Sequence, residues 1–261
     1  MSAAQPVTSV MTIGTDMKIE GNGATIAAPI NVIGANVEIN NINFNYAGDN
    51  SSAGSNGIVA SGNKNFTLTN STIAGTMRKA IIAKTSGAIV ISGNTFNSES
   101  GSIYNAVETG LSSEPAISAL TIENNTFNGS LGNNAISLFK FEEGATVNIK
   151  NNTFNLDNAE GNTLRLSNMT NAANVVFNII DNEYAYPTDD ANEWSGFMIC
   201  QVLPNGSTND FKDFVVNITN LTYKGEKLTT NGEGVKRICY IWDVNNGMNL
   251  EGISGPVFNF N

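Results

Sequence analysis

Val147-Asn-Ile-Lys-Asn-Asn-Thr-Phe154 is one copy of a pattern that recurs along nearly the whole chain. Each copy closes on an aromatic or aliphatic residue: Phe44, Ile73, Phe96, Phe127, Phe154, Tyr184 and Tyr223. Five residues before these stand Ile39, Leu68, Ile91, Ile122, Ile149, Ile179 and Ile218, and seven before them Val37, Phe66, Ile89, Leu120, Val147, Phe177 and Val216. Neither set contains a polar residue. Three before the closing residue runs a turn column of Asn41, Asn70, Gly93, Asn124, Asn151, Asp181 and Asn220.

Alternation with period two makes each copy a short strand with two inward apolar residues. A tight bend follows, and then another inward residue. Asn and Gly suit the bend because they tolerate the left-handed backbone region that β-branched residues avoid. Successive closing residues lie 23 to 39 residues apart, within the roughly 20 to 50 that mark stacked repeats. A single copy cannot bury its apolar side alone. Stacked copies can, with like residue over like at a strand spacing of about 4.8 Å.

The pattern resembles the right-handed parallel β-helix of the pectin-lyase-like superfamily, whose turns carry asparagine stacks. The resemblance covers residues 13 to 255 and implies an all-β solenoid of about eight to nine rungs. Residues 1 to 12 read as an N-terminal lead or docking segment and 256 to 261 as a tail. On function the resemblance is nearly silent, because the same coil serves polysaccharide lyases, polygalacturonases, bacteriophage tailspikes, adhesins and virion decoration proteins.

A repeat running end to end makes the 261 residues one elongated body roughly 40 Å long. With 41% hydrophobic and 14% charged residues the chain has ample core material. A net charge of −10 argues against nucleic-acid binding, which needs a basic face. Met1-Ser-Ala-Ala-Gln5 has neither the basic nor the apolar region of a secretion signal, and no apolar run is long enough to cross a bilayer. The expectation is synthesis in a host cytoplasm.

A second apolar run follows in most coils: Ile58-Val59, Ile81-Ile82, Ala135 to Phe141, Leu164 to Leu166, Phe197 to Val202 and Ile238 to Val244. The segments Ala47 to Asn56 and Asn97 to Tyr104, rich in Gly, Ser and Asn, read as loops off the body. Cys200 and Cys239 have the same offset as Tyr184 and Tyr223, which predicts equivalent places on adjacent rungs. Stacked side chains point the same way, so two reduced thiols are expected rather than a bridge. The last of these runs are apolar on both parities. Phe197, Ile199, Ile238, Tyr240 and Trp242 form an outer stripe that calls for a cover, either a loop or another subunit. Neighbouring loops are polar, which favours a subunit interface and a homo-oligomer.

The chain has no histidine, which removes histidine-based nucleophile schemes and His-ligated zinc. Two cysteines are too few for a zinc cluster, and no phosphate-cradling loop is present. No cofactor is expected. Carboxylate chemistry remains. A glycosidase needs two carboxyl groups about 5 to 9.5 Å apart, and the long insertion Ala185 to Ser195 offers Asp189, Asp190 and Glu193. As a solvated acidic loop they need no chemistry, and they lack the alternating ligand spacing of an EF-hand. The leading expectation is therefore a non-enzymatic virion protein: a bacteriophage capsid-decoration, head-fibre or tail-associated β-helix that assembles with itself or docks on other virion proteins. A carbohydrate-active enzyme using the insertion, or a surface adhesin, stands as the alternative.

Overall fold

The computed structural model describes residues 9–62, 64–110, 115–157, 163–167, 173–187, 195–202, 213–243, 247–248 and 257–261. The described chain is all-β with a long, mostly parallel sheet, consistent with a β-solenoid. The bends are where the turn column places them. Asn41, Asn70, Asn124, Asn151, Asp181 and Asn220 have φ between 50° and 56°, and Gly93 has φ 69°. An amide or carboxylate side chain tolerates this left-handed conformation better than any β-branched one.

Parallel pairing between successive copies builds three columns of strands. The first stacks Met17–Glu20 on Val37–Asn40, then Phe66–Thr69, Ile89–Ser92, Leu120–Glu123, Val147–Lys150, Phe177–Ile180, Val216–Thr219 and Phe258–Phe260. Its inward residues are those read from the sequence. Val37, Ile39, Leu68, Ile91, Ile122 and Ile149 are all fully or almost fully buried.

The second column stacks the closing residues one over another: Ile26, Phe44, Ile73, Phe96, Phe127, Phe154, Tyr184 and Tyr223. The rings of Phe96 and Phe127, and of Phe127 and Phe154, lie with centroids 4.7 Å apart and planes within 5° and 9°. That separation is the strand spacing itself, so in-register pairing forces the stack. Burying each such side chain contributes about 1.5 to 3 kcal/mol. Gly75 and Gly129 sit just after these residues at φ 106° and 89°. A Cβ on either would collide with the carbonyl oxygen of Tyr46 or Ser98 on the adjacent strand.

The third column runs from Met11–Ile13 through Ile30–Ile33, Ile58–Ser61, Ile81–Ala83, Val107–Glu108, Ile136–Leu138, Leu164–Ser167 and Met198–Val202 to Cys239–Asp243. Two columns end in hairpins. Thr222–Tyr223 pairs antiparallel with Glu226–Lys227, and Trp242–Asp243 with Gly247–Met248.

The structure departs from the sequence reading in three places. Met11–Ile13 and Val257–Phe260 are paired members of columns, so the ladder extends past the boundaries expected at residues 13 and 255. Asn97 to Tyr104, expected as a loop, lies within the continuous strand Thr95–Thr109, because Ile103 turns inward beside Met77. Cys239 faces Met198, while Cys200 faces Ile241, so the thiols are not equivalent. The hairpin at Glu226–Lys227 and the 3-10 turn Gly234–Lys236 absorb the two-residue difference. Both cysteines are free and buried, and burial pushes the Cys239 thiol well up, with Cys200 beside it adding to the effect.

Candidate functional site

Two kinds of polar side chain are concentrated in this fold. The first belongs to the frame. Immediately after the turn column stand Ser71, Asn94, Asn125, Asn152 and Asn182, each 2% exposed or less. The Oδ1 of Asn94 accepts the Ser71 N–H at 2.9 Å, that of Asn125 accepts the Asn94 N–H at 2.9 Å, that of Asn152 accepts the Asn125 N–H at 3.0 Å, and that of Asn182 accepts the Asn152 N–H at 3.0 Å. Their Nδ2 groups donate to the carbonyls of Leu68, Ile91, Ile122 and Ile149. A buried amide is tolerated only when its donors and acceptors are matched, and here the ladder matches them. The turn residues were legible in the sequence, whereas this ladder was not; its signal is the second Asn of Asn124-Asn125 and Asn151-Asn152.

The second kind lies on the outward side of the third column. Register aligns Ile82, Glu108, Ser137, Arg165, Ile199 and Tyr240 along one stripe. Inward neighbours Val107, Ile136, Leu138, Leu164 and Leu166 fill the core, which turns the residues between them outward. Glu108 is 4% exposed. Its carboxylate pairs with the Lys79 ammonium and accepts from Asn105 Nδ2 at 2.6 Å. Arg165 is half-buried; its Nε donates to Ser167 Oγ at 2.5 Å, and its Cζ lies 5.7 Å from the centre of the Phe139 ring. Burial holds the Arg165 pKa below the usual guanidinium range, opposed by the negative charge of Glu108.

The upper part of this stripe corrects the expected exposed interface. Phe197, Ile199, Ile238 and Tyr240 are each 3% exposed or less within the single chain, and Trp242 is half-buried. Phe197 and Ile238 precede the strands Met198–Val202 and Cys239–Asp243, so the alternation does not govern them, and both join the inner core. Phe197 packs against Phe154 and Tyr184, with ring centroids 6.1 and 5.3 Å away. Ile199 and Tyr240 do face outward but are covered, and the Arg237 guanidinium lies 4.9 Å from the Tyr240 ring centre.

Asp189, Asp190 and Glu193 lie outside the described residues. The two ends of their insertion are described and are tied together, since the Tyr186 hydroxyl donates to the Gly196 carbonyl at 2.9 Å. Asp181 takes the turn-column role, with φ 55° and its Oδ1 accepting from Asn220 Nδ2 at 2.9 Å. Among the described residues no group of three or more His, Cys, Asp or Glu is placed to hold a metal ion. On the second column's outer side an open groove of about 430 Å³ is lined by Asn45, Thr76, Asn97, Glu99, Ser100 and Ser102. Its lining is short and polar, without an aromatic platform.

These features define an all-β protein with stacked parallel strands, an internal amide ladder and a partly buried charged stripe. Comparison of the chain with protein-family models, with curated proteins and with solved structures returns no match.

Proposed function

We propose that this chain is a non-enzymatic structural protein, a right-handed parallel β-helix of about eight to nine rungs of the pectin-lyase-like kind, that works through assembly and surface presentation. The observation that carries this reading is the allocation of amides. Besides the inner ladder, Asn178, Asn217 and Asn259 each donate Nδ2 to the Oδ1 of the asparagine one turn earlier, at 3.1, 3.2 and 2.8 Å. Asn128 and Asn155 do the same toward Asn97 and Asn128 on the second column, at 3.1 and 3.0 Å. Polar side chains inside and outside are thus engaged in holding one turn to the next, which suits a stiff rod that presents loops.

The virion setting, as a bacteriophage decoration, head-fibre or tail-associated protein made in the host cytoplasm, rests on the resemblance and on the histidine-free composition. Partners are identical subunits or other virion proteins. With Ile199 and Tyr240 covered, assembly uses other surfaces. Val10 and Met17 at the first strands and Val257 at the last are exposed apolar side chains.

Light scattering at several concentrations and a reducing-end assay on a panel of polysaccharides test the reading together. A stable oligomer without sugar release is expected. Release of reducing ends that disappears in Asp189→Ala would overturn it in favour of a carbohydrate-active enzyme.

A further inference from the structure

Lys79, Asn105 and Glu108 form a buried polar cluster at the edge of the third column. Strand pairing sets Lys79 directly beside Asn105 on the neighbouring turn. Glu108, three residues further on, holds both: one carboxylate oxygen pairs with the Lys79 ammonium and the other accepts from Asn105 Nδ2 at 2.6 Å. Asn105 is 3% exposed and Glu108 4%, while 20% of the Lys79 side chain meets solvent. The Asn105 Oδ1 accepts the backbone N–H of Asn134 at 3.1 Å. A buried ion pair adds little net stability, because desolvating both charges offsets their attraction. This one brings an amine, an amide carbonyl and a carboxyl together in a site nearly closed to water.

We propose that Lys79 and Asn105 join covalently, the Lys79 Nζ displacing ammonia from the Asn105 side chain to form an isopeptide bond. The Lys79 proton first crosses to Glu108, an exchange that a water-poor site favours because both charges disappear. The neutral amine attacks Asn105 Cγ, a N–C bond forms, and the carbonyl π pair moves to Oδ1. The Asn134 N–H, already donating to Oδ1, stabilises that oxyanion. Glu108 then gives its proton to Nδ2 and takes one from the attacking nitrogen. The Cγ–Nδ2 bond breaks, the carbonyl re-forms, ammonia leaves, and Glu108 ends as the neutral acid. No oxidant is consumed, and the net charge of the cluster is unchanged. Asn56 is the register partner of Lys79 on the opposite side, but its Nδ2 donates to the Ala53 carbonyl and not to a carboxylate, which leaves Asn105 as the electrophile. The bond ties one turn to the next as a disulfide would, in a chain whose cysteines are free. It is independent of the assembly role and needs only these turns to be folded.

The test is the intact mass of the purified full chain, measured in denaturant and followed by tryptic tandem mass spectrometry. The main species should weigh one ammonia less than the sequence. Trypsin should fail to cut after Lys79, and a branched peptide should join 79–84 to 85–140. Glu108→Gln keeps the size of the side chain but cannot carry the proton, and Lys79→Arg keeps the charge but removes the nucleophile. Both should show the full mass of their sequences and melt below the parent chain. The parent mass decides even if neither variant folds. A parent mass equal to that of the sequence overturns the bond. So does an ammonia loss that maps to a succinimide at an Asn-Gly pair such as Asn128-Gly129, with Lys79 still cleaved. A branch from Lys79 to Asn56, or an undiminished branch in folded Glu108→Gln, overturns the roles assigned to Asn105 and Glu108.

Discussion

The inner ladder Asn94–Asn125–Asn152–Asn182 and the outer ladder Asn148–Asn178–Asn217–Asn259 use the same side chain at the same strand spacing, yet they do different things for the fold. Each inner amide accepts a backbone N–H from one neighbouring turn and donates to a backbone carbonyl, in a site closed to water. The outer amides link side chain to side chain from turn to turn, and they face solvent. Where water can replace a lost partner, a hydrogen bond contributes little net stability; where it cannot, the orphaned group carries its full desolvation cost. Burial sets the energetics, and the residue type only permits them.

Asn125→Leu is the largest blow to this comparison. It strips the acceptor from Asn94 N–H and Nδ2, and the donor from the Ile91 carbonyl and Asn152 Oδ1. With roughly 1 to 3 kcal/mol for each buried group left unsatisfied, a loss of about 4 kcal/mol in urea unfolding is expected. One position earlier, Asn124→Val should cost about 1 to 2 kcal/mol, because it forces a β-branched residue to φ 56°, while Asn124→Gly stays within a few tenths. Asn178→Ala on the outer ladder should change stability by no more than about 0.5 kcal/mol. A loss as large as that of Asn125→Leu would show that exposure does not separate the ladders.

The smallest effect concerns acid. Asp16, at the start of an outer Asp16–Asn36–Asn65 series, accepts from the backbone N–H and the Nδ2 of Asn36, both at 2.8 Å, and these bonds hold its pKa below the ordinary carboxylate value. A lowered folded pKa means the contribution is present above the unfolded value and lost as pH falls through the folded one. Asp16→Asn should therefore narrow the stability difference between neutral and acid solution slightly, as seen in melting temperatures at pH 6 and pH 2.

Much of the fold was legible because a solenoid writes its geometry into sequence: like residues recur at each turn, so Ile122 and Ile149 or Phe127 and Phe154 announce their own pairing. The inner ladder escaped notice because Asn124 and Asn125 look alike as turn formers. Only the backbone conformation reveals that one turns the chain while the other enters the core. The outer stripe was misread for a different reason. Alternation predicts which way Ile199 and Tyr240 point, but not whether something lies over them. The charged part of the stripe combines both difficulties, since Glu108, Ser137 and Arg165 come from three separate strands and meet only through register.

Two columns finish by folding back on themselves, at Glu226–Lys227 and at Gly247–Met248. A strand of opposite sense already pairs with Thr222–Tyr223 and with Trp242–Asp243, peptide groups that a newcomer would need. A second copy approaching in the parallel sense finds those peptide groups taken. Addition of a further parallel strand at these residues requires the hairpin to peel away first.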